Sequence, residues 1–304
     1  MRIPFSLCVH VVYVCFSSFY TSFLHGIQNP CFPAKTILKA GFDLDFRCVW
    51  GYASRGGNDP HNERIFDGTY LSEVGGKNQI FIKQYLKSIK KINKSDGYQI
   101  IHLDNHDTIR LSRGRTDDMI KVLWASYLTL PNVPLIYYGD EIGMRYIPLK
   151  SRDGGYHRTG SRTPMQWNNG KNLGFSNTDG ELYLPVDSEN TPYTVAAQEN
   201  DENSILNHTK RLIVLKRSLN CLKATAEFKI LYSGIKRDGN PLIYKRESDT
   251  DEAVVVLLPK KMSINIDMKK YLKGSFAHIA LNAAFDGRIL KAFGTSYAVF
   301  YRKK

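Results

Sequence analysis

Cysteine is scarce in this sequence, and none of it is spaced like a metal site. The 304 residues include five cysteines, Cys8, Cys15, Cys31, Cys48 and Cys221. No pair follows the short spacing of zinc ligands, and an odd total leaves at least one cysteine unpaired in a monomer. The sequence therefore argues against a fold built on disulfides, and we expect neither a bound metal nor another cofactor.

Acidic residues are fewer than basic ones, but the positive excess is not gathered in one place. Lys and Arg number 42 against 29 Asp and Glu, which gives a formal charge of +13. A protein that binds nucleic acid needs its cations clustered on one surface. Here they are spread, with local groups at 87–94 and 269–273 that are typical of solvated faces. We therefore expect no nucleic-acid partner.

A long uninterrupted hydrophobic run is also missing. The most apolar stretch, residues 3–24, is broken by His10, Tyr13 and several Ser and Thr. Its length behind a basic residue fits a secretory signal, whereas a membrane span would be short and polar for a bilayer centre. A third interpretation, which we favour, is that residues 1–27 are a leader not native to the fold. Membrane association, and a cytoplasmic or secreted location, therefore stay open.

The most informative stretch is Asn105-His106-Asp107, which follows an apolar run at 98–103 that predicts a buried strand. Barrel enzymes keep their chemistry at such strand ends. A carboxylate beside an imidazole can bind paired sugar hydroxyls, and a carboxylate stabilises positive charge at an anomeric carbon. The alternative is an ordinary turn in which Asp107 caps the next segment. Arg110 either lies beside the sugar or forms a salt bridge across the loop.

Two later stretches strengthen the first interpretation. Residues 130–144 predict a second buried strand with acidic residues and glycines at its end, and a long loop then carries Arg-Thr-Pro-Met-Gln-Trp at 162–167. In this order the three stretches resemble the α-amylase superfamily, glycoside hydrolase family 13, and especially its α-glucosidase, oligo-1,6-glucosidase and trehalose synthase branch. The resemblance covers about residue 28 to the C-terminus.

The resemblance implies an α/β fold: a partial (β/α)8 TIM barrel of about strands six to eight over 28–220, then a C-terminal antiparallel β-sandwich over 221–304. Apolar periodicity agrees, since it predicts helices at 78–92, 117–130 and 202–219. Short β-rich runs bounded by turn residues predict the sandwich strands, at 228–232, 241–244, 253–258, 263–266 and 294–301.

The resemblance also implies roles for individual residues. Asp107 matches the acid that stabilises the transition state, and Asn105 and His106 match sugar-binding residues. Three more candidates for substrate binding are Arg110, Arg162 and Trp167. The Trp167 ring could stack on a sugar face, but a Trp beside Pro and Met is also a common loop anchor.

The two principal carboxylates of the family are not found. Gly-Ile at 26–27 stands where relatives have a Glu-Trp pair. The run at 41–45 mimics the nucleophile motif and would make Asp45 the nucleophile and Glu63 the general acid. An Asp replaces the motif's Arg, however, and only about sixty residues separate Asp45 from Asp107, too few for the missing barrel units. We therefore interpret 41–45 as the sixth strand, and Glu141 as structural.

The expected function is hydrolysis of α-glucosidic bonds in oligosaccharides or disaccharides. A retaining glycosidase needs two carboxylates across the scissile bond, so we expect this chain alone to be inactive. Three barrel units with open strand edges also predict a truncated, poorly soluble product. Two alternatives stay open: a non-catalytic amylase-like protein of the transporter-associated glycoprotein type, and a trehalose synthase-type maltose isomerase.

Overall fold

Two sheets organise the part of the chain that the computed structural model describes, one parallel with three strands and one antiparallel with six. The described residues are 44–48, 98–106, 110–150, 158–187, 189, 191–234 and 240–304. The predictions for the leader at 1–27, the helix at 78–92, Glu63 and Asp107 lie outside these residues. None of the helices in the described ranges combines the length and the apolar character that a membrane crossing requires.

The parallel sheet contains β1 (Leu44–Cys48), β2 (Tyr98–His102) and β3 (Val133–Leu135), side by side in chain order. Their last residues are in register, since Cys48 pairs with His102 and His102 with Leu135. Parallel neighbours in chain order are the arrangement of a (β/α) barrel. This confirms the prediction of a partial barrel, and it brings the carboxyl ends of the strands to one edge.

The prediction of a buried strand over 130–144 is wrong in length and in burial. The strand covers only Val133–Leu135, because Pro134 has no N–H for a ladder and Gly139 turns the chain with a left-handed φ of 86°. The side chain of Leu135 is 44% exposed. Among the described strands, β3 is the last of the parallel sheet on this side.

The described part of the chain contains three α-helices, and the sequence predicted two of them. Helix α1 (Asp117–Thr129) begins after Thr116, whose side chain accepts the N–H of Met119, and it ends before Pro131 as predicted. Helix α2 (Val195–Glu199) is a single short turn that the periodicity missed. Helix α3 (Ile205–Ser218) starts three residues later than predicted, because Ser204 is its N-cap.

The C-terminal region is antiparallel, as expected. Its strands are β4 (Glu227–Tyr232), β5 (Leu242–Glu247), β6 (Asp251–Leu258), β7 (Ser263–Asp267), β8 (Ala277–Phe285) and β9 (Ile289–Lys303). They run in the order β4-β5-β6-β9-β7, and β8 also pairs with β9. Strand β9 is therefore a neighbour of three others.

Two features of this sheet differ from the prediction. Strand β8 was missed because its residues alternate between exposed and half-buried and include four alanines, which give a weak strand signal. Strand β9 is longer than predicted because Gly294, interpreted as its start, lies inside it with a φ of 71°. A glycine in this conformation bends a strand without ending it.

The sheet has an apolar core on each face. Alternate residues of β6 point to opposite sides, so Val255 joins a cluster with Trp124 of α1, while Val254 joins one with Phe300. The first cluster contains side chains of α1, α3 and the sheet together. The barrel helices and the C-terminal sheet therefore share one continuous core.

Candidate functional site

The chain passes from the interior to the surface immediately after β2. Asp104 is buried, Asn105 is half-buried and His106 is exposed. This gradient follows from the strand end, where the backbone leaves the sheet and enters a loop. The structure therefore presents His106 at the carboxyl edge of the parallel sheet, where a substrate can reach it.

Two of the predicted site residues meet at this edge. Arg162 Nε donates a hydrogen bond to the carbonyl oxygen of His106 at 2.9 Å. The residues belong to different segments, so the bond joins the loop after β2 to the loop that carries Arg-Thr-Pro-Met-Gln-Trp. A guanidinium on a loop carbonyl fixes the path of that loop.

Two tyrosines that the sequence prediction missed support the second loop. The hydroxyl of Tyr137 donates to the carbonyl of Ser161 at 3.0 Å, and that of Tyr138 donates to the carbonyl of Thr163 at 2.8 Å. Both follow β3 directly, before the turn at Gly139. An aromatic pair at a strand end was the signal that could have identified them.

Arg110 forms the interaction across the loop that was one of its two predicted roles. The side chain is fully buried, and its Nη1 donates to the carbonyl of Tyr138 at 2.8 Å and lies 3.7 Å from Asp140 Oδ1. The guanidinium also lies over the rings of Tyr137 and Tyr138, at 5.1 and 4.9 Å from their centroids. These contacts tie the end of the loop after β2 to the turn after β3.

Three acidic side chains lie just inside the exposed edge. Asp104 and Asp140 are both buried and hydrogen-bond to each other, and Glu141 is half-buried beside them in a short 3-10 helix, Asp140–Ile142. Burial raises the pKa of all three carboxyls above the ordinary values. The sequence identified these residues as polar strand ends without revealing that two of them touch.

Trp167 is held by its backbone, and its ring is exposed. The amide of Trp167 donates to the carbonyl of Leu173 at 2.8 Å, and its carbonyl accepts from the amide of Ala196 at 2.9 Å. The side chain is 49% exposed. Of its two predicted roles, the geometry leaves the ring available for stacking, since the backbone anchors the loop.

The backbone of Asp45 lies inside strand β1. In the parallel register Asp45 pairs with Gln99, three positions before the aligned ends at Cys48 and His102. At about 3.3 Å per residue, this is roughly 10 Å from the edge that carries His106. Of the predicted strand over 41–45, residues 44 and 45 belong to β1, which continues to Cys48, and the rest lies outside the described residues.

Within the described ranges, no three His, Cys, Asp or Glu side chains are grouped so that they could hold a metal ion. The predicted site residues in those ranges are an exposed imidazole, His106, a guanidinium at its carbonyl, Arg162, and a half-exposed indole ring, Trp167.

Comparison with known proteins gives consistent matches. The family model described as alpha amylase, catalytic domain, matches residues 70–225. The chain is 29% identical over 219 residues to a salivary alpha-glucosidase of Aedes aegypti, and 40% identical over 107 residues to a trehalose synthase/amylase of Mycobacterium tuberculosis. Among solved structures, isomaltulose synthase from Erwinia rhapontici NX5 superposes with a TM-score of 0.61 at 22% identity, a similarity that shows the fold alone.

Each match covers a larger share of this chain than of the protein it is aligned with. The aligned part is 67% of this chain but 36% of the salivary enzyme, and 33% of this chain but 17% of the trehalose synthase/amylase. For isomaltulose synthase the shares are 73% and 46%. The chain therefore spans less than half the length of each of these proteins.

Proposed function

Since this chain belongs to the family of the α-amylase catalytic domain, we propose that it carries part of an α-glucosidase-type site that acts on α-glucosidic bonds in oligosaccharides or disaccharides. Residues 28–220 supply the barrel part and residues 221–304 the supporting β domain. The salivary alpha-glucosidase of Aedes aegypti is one relative whose name agrees with this substrate class.

One observation carries the proposal. Arg162 and His106 were assigned to sugar binding from separate segments, and the bond between Arg162 Nε and the His106 carbonyl joins those segments at the carboxyl edge of the parallel sheet. An unrelated turn histidine would not require a distant arginine to hold its carbonyl. The contact therefore supports a site assembled from both loops.

We assign the roles as follows. Asp107 stabilises the positive charge that develops at the anomeric carbon, and His106 and Asn105 bind hydroxyls of the same sugar. Trp167 offers a ring face for a neighbouring sugar unit. Arg110 supports the site from inside, because a fully buried guanidinium cannot reach a substrate at the surface.

Bond cleavage needs a nucleophile and a general acid beyond these residues. We propose that neither Asp45, which pairs with Gln99 inside β1, nor Glu141, in the turn after β3, supplies them. An acid that stabilises charge without a nucleophile leaves sugar binding and removes covalent catalysis. We therefore expect the purified chain to bind α-glucosides without hydrolysing them.

The test measures maltose binding by calorimetry and glucose release by an enzymatic assay, on the same purified chain. We expect measurable binding, no glucose release, and a dissociation constant about tenfold higher in Asp107→Asn and His106→Ala, since each loses a hydrogen bond to a hydroxyl. Glu181→Gln, at an exposed position on the second loop, is the control and should bind as the wild type does.

Two outcomes would contradict the proposal. Equal binding by all four proteins would remove the sugar site from His106 and Asp107. Glucose release that is abolished by Asp45→Asn would show that Asp45 is the nucleophile after all.

A second candidate function is isomerisation of maltose to trehalose. It is favoured by the 40% identity over 107 residues to the trehalose synthase/amylase of Mycobacterium tuberculosis. Product analysis of the same maltose incubation separates the two, since an isomerase yields trehalose and a hydrolase yields glucose.

A further inference from the structure

Two acidic side chains meet where β2 and β3 end. Asp104 follows β2 closely, and Asp140 begins the 3-10 helix after β3. Each is only 2% exposed, and the two side chains share a hydrogen bond. Two ionised carboxylates have no proton between them, so this bond requires one of the two groups to be protonated.

The charges around the pair also call for one proton. Among the described side chains, the charged and titratable groups that face it are Arg110, Arg115, Glu141, Tyr127 and Tyr137. Within this set, three carboxyls against two guanidiniums leave one negative charge, and a single proton cancels it. An uncompensated charge is costly in a buried position, so the neutral arrangement is favoured.

The pair is mechanically connected to the proposed sugar site. Asp104 Oδ2 accepts the amide N–H of Leu111 at 2.6 Å, which ties together the two residues that flank 105–110. Arg110, inside that segment, reaches Asp140 Oδ1 at 3.7 Å and the carbonyl of Tyr138. His106 therefore sits on a segment whose two ends are fixed by the pair and its arginine.

We propose that Asp104 and Asp140 share a single proton, and that this proton-bridged pair positions His106 for binding an α-glucoside. The inference rests on the proposed function. Both residues are positioning residues, because they act through the loop and do not touch the sugar. Loss of the proton places two anions in contact, which separates the strand ends and moves His106.

The direction of the pH effect follows from burial. Burial, reinforced by the charge of Asp104, raises the pKa of Asp140 well above its ordinary value of 3.8. The native state then keeps a proton that the unfolded chain releases. The stability from this proton is fully present below the unfolded pKa, and it is lost as pH rises through the native pKa.

The first experiment tests the pair without sugar, by following the melting temperature of the full chain between pH 4 and pH 9. Asp140→Asn keeps a hydrogen-bond donor toward Asp104 but cannot ionise. We expect the wild type to lose melting temperature relative to Asp140→Asn as the pH rises. The control Glu199→Gln, at an exposed position on α2, should follow the wild type at every pH.

A difference in melting temperature between wild type and Asp140→Asn that stays constant with pH would show a merely structural role. If the melting temperature of wild type instead increases relative to that of Asp140→Asn as the pH rises, both carboxylates are ionised and paired with Arg110 and Arg115. Either result overturns the shared proton.

The second experiment measures the effect on maltose binding. We expect Asp140→Ala to raise the dissociation constant about tenfold, and Asp140→Asn to restore it to within about twofold and to remove its pH dependence. If Asp140→Ala does not fold, Asp104→Asn with Asp140→Asn carries the same comparison. Failure of Asp140→Asn to restore binding would overturn the positioning role.

The two experiments distinguish a failure of the proposed function from a failure of the proton-bridged pair. If no variant and no wild type binds maltose, the proposed function falls, but the melting profiles still decide whether the proton is shared. If maltose binds and the profiles run parallel, the sugar site stands and the proton-bridged pair does not.

Discussion

At the ends of β2 and β3 carboxyl groups are buried against one another, whereas on the C-terminal sheet they face lysine and arginine. Burial raises the pKa of Asp104 and Asp140. Burial also opposes the charge of Glu252, but hydrogen bonds from Lys245 and Arg302 outweigh it and lower the pKa of that carboxyl. Burial thus raises the pKa of carboxyls beside the proposed site, whereas cationic partners lower the pKa of the same group on the C-terminal sheet.

The ion pairs of the C-terminal sheet form a row across its strands. Glu252 of β6 lies 2.6 Å from Lys245 Nζ of β5 and 2.5 Å from Arg302 Nη2 of β9. Glu247 continues the row, and its hydrogen bonds to Lys304 and Lys245 lower its pKa to about 2. Such a network stabilises the sheet, whereas the buried acids at the parallel edge are a cost that function can explain.

The largest expected effect tests whether the parallel-sheet region and the C-terminal sheet unfold independently. Trp124→Ala should lower the free energy of unfolding by about 3–5 kcal/mol, because the Trp124 ring is fully buried in the core that α1 shares with the sheet. Urea denaturation should show one transition, shifted to lower urea. Val214→Ala, at an exposed position on α3, is the control and should stay within about 0.5 kcal/mol of wild type.

Separate transitions for the two regions in wild type would contradict the shared core. The contrast between them would then describe two independent folding units.

A smaller effect tests whether the pKa of Glu252 on the C-terminal sheet is lowered, in contrast to the raised pKa of Asp140. Glu252→Gln should cost about 1–2 kcal/mol at neutral pH, because it removes the charge from two hydrogen-bonded ion pairs. A lowered native pKa gives stability that is present above the unfolded value of 4.5 and is lost as pH falls through the native pKa. Urea denaturation of both proteins between pH 3 and pH 7 should show the difference vanish in acid, opposite to the trend expected for Asp140→Asn.

The smallest effect concerns a lysine between the two regions. Lys216 Nζ donates to the carbonyls of Leu128 and Leu222 at 3.2 and 2.8 Å. Burial, with the nearby charge of Arg246, lowers the pKa of Lys216 to about 7 from 10.5. Between those values the unfolded chain holds a proton that the native state has lost, so stability rises with pH.

Relative to Lys216→Met, the wild type should therefore gain about 2–4 °C in melting temperature from pH 7 to pH 10. Differential scanning calorimetry measures it, with Lys291→Met at an exposed position as the control. A parallel course of wild type and Lys216→Met would show that Lys216 keeps its proton in the native state.

Local signals were enough to predict α1 and α3. The N-cap at Thr116, two acids in the first turn and Pro131 beyond the end locate α1 to within a residue. Strand β8 offered no comparable signal, because four of its nine residues are alanines, which have a weak strand propensity, and Asn282 has a left-handed φ. Pro134 and Gly139 limit the length of β3, although the apolar residues of 130–144 indicated a longer strand.

The site could be predicted only as separate segments. Sequence order and family resemblance identified His106 and Arg162, but not the bond between the Arg162 side chain and the His106 carbonyl. The contact between Asp104 and Asp140 depends on the register of β2 and β3, and register is set by pairing that no short window contains. The burial of Arg110 follows from the same pairing, so the sequence left its two roles undecided.

Strand β9 is the neighbour of β6, β7 and β8, although it follows all three in the chain. A ribosome therefore delivers the shared neighbour after the strands that pair with it. A nascent chain that has not yet released residues 289–303 leaves backbone edges of β6, β7 and β8 without this partner strand, and unpaired edges favour aggregation.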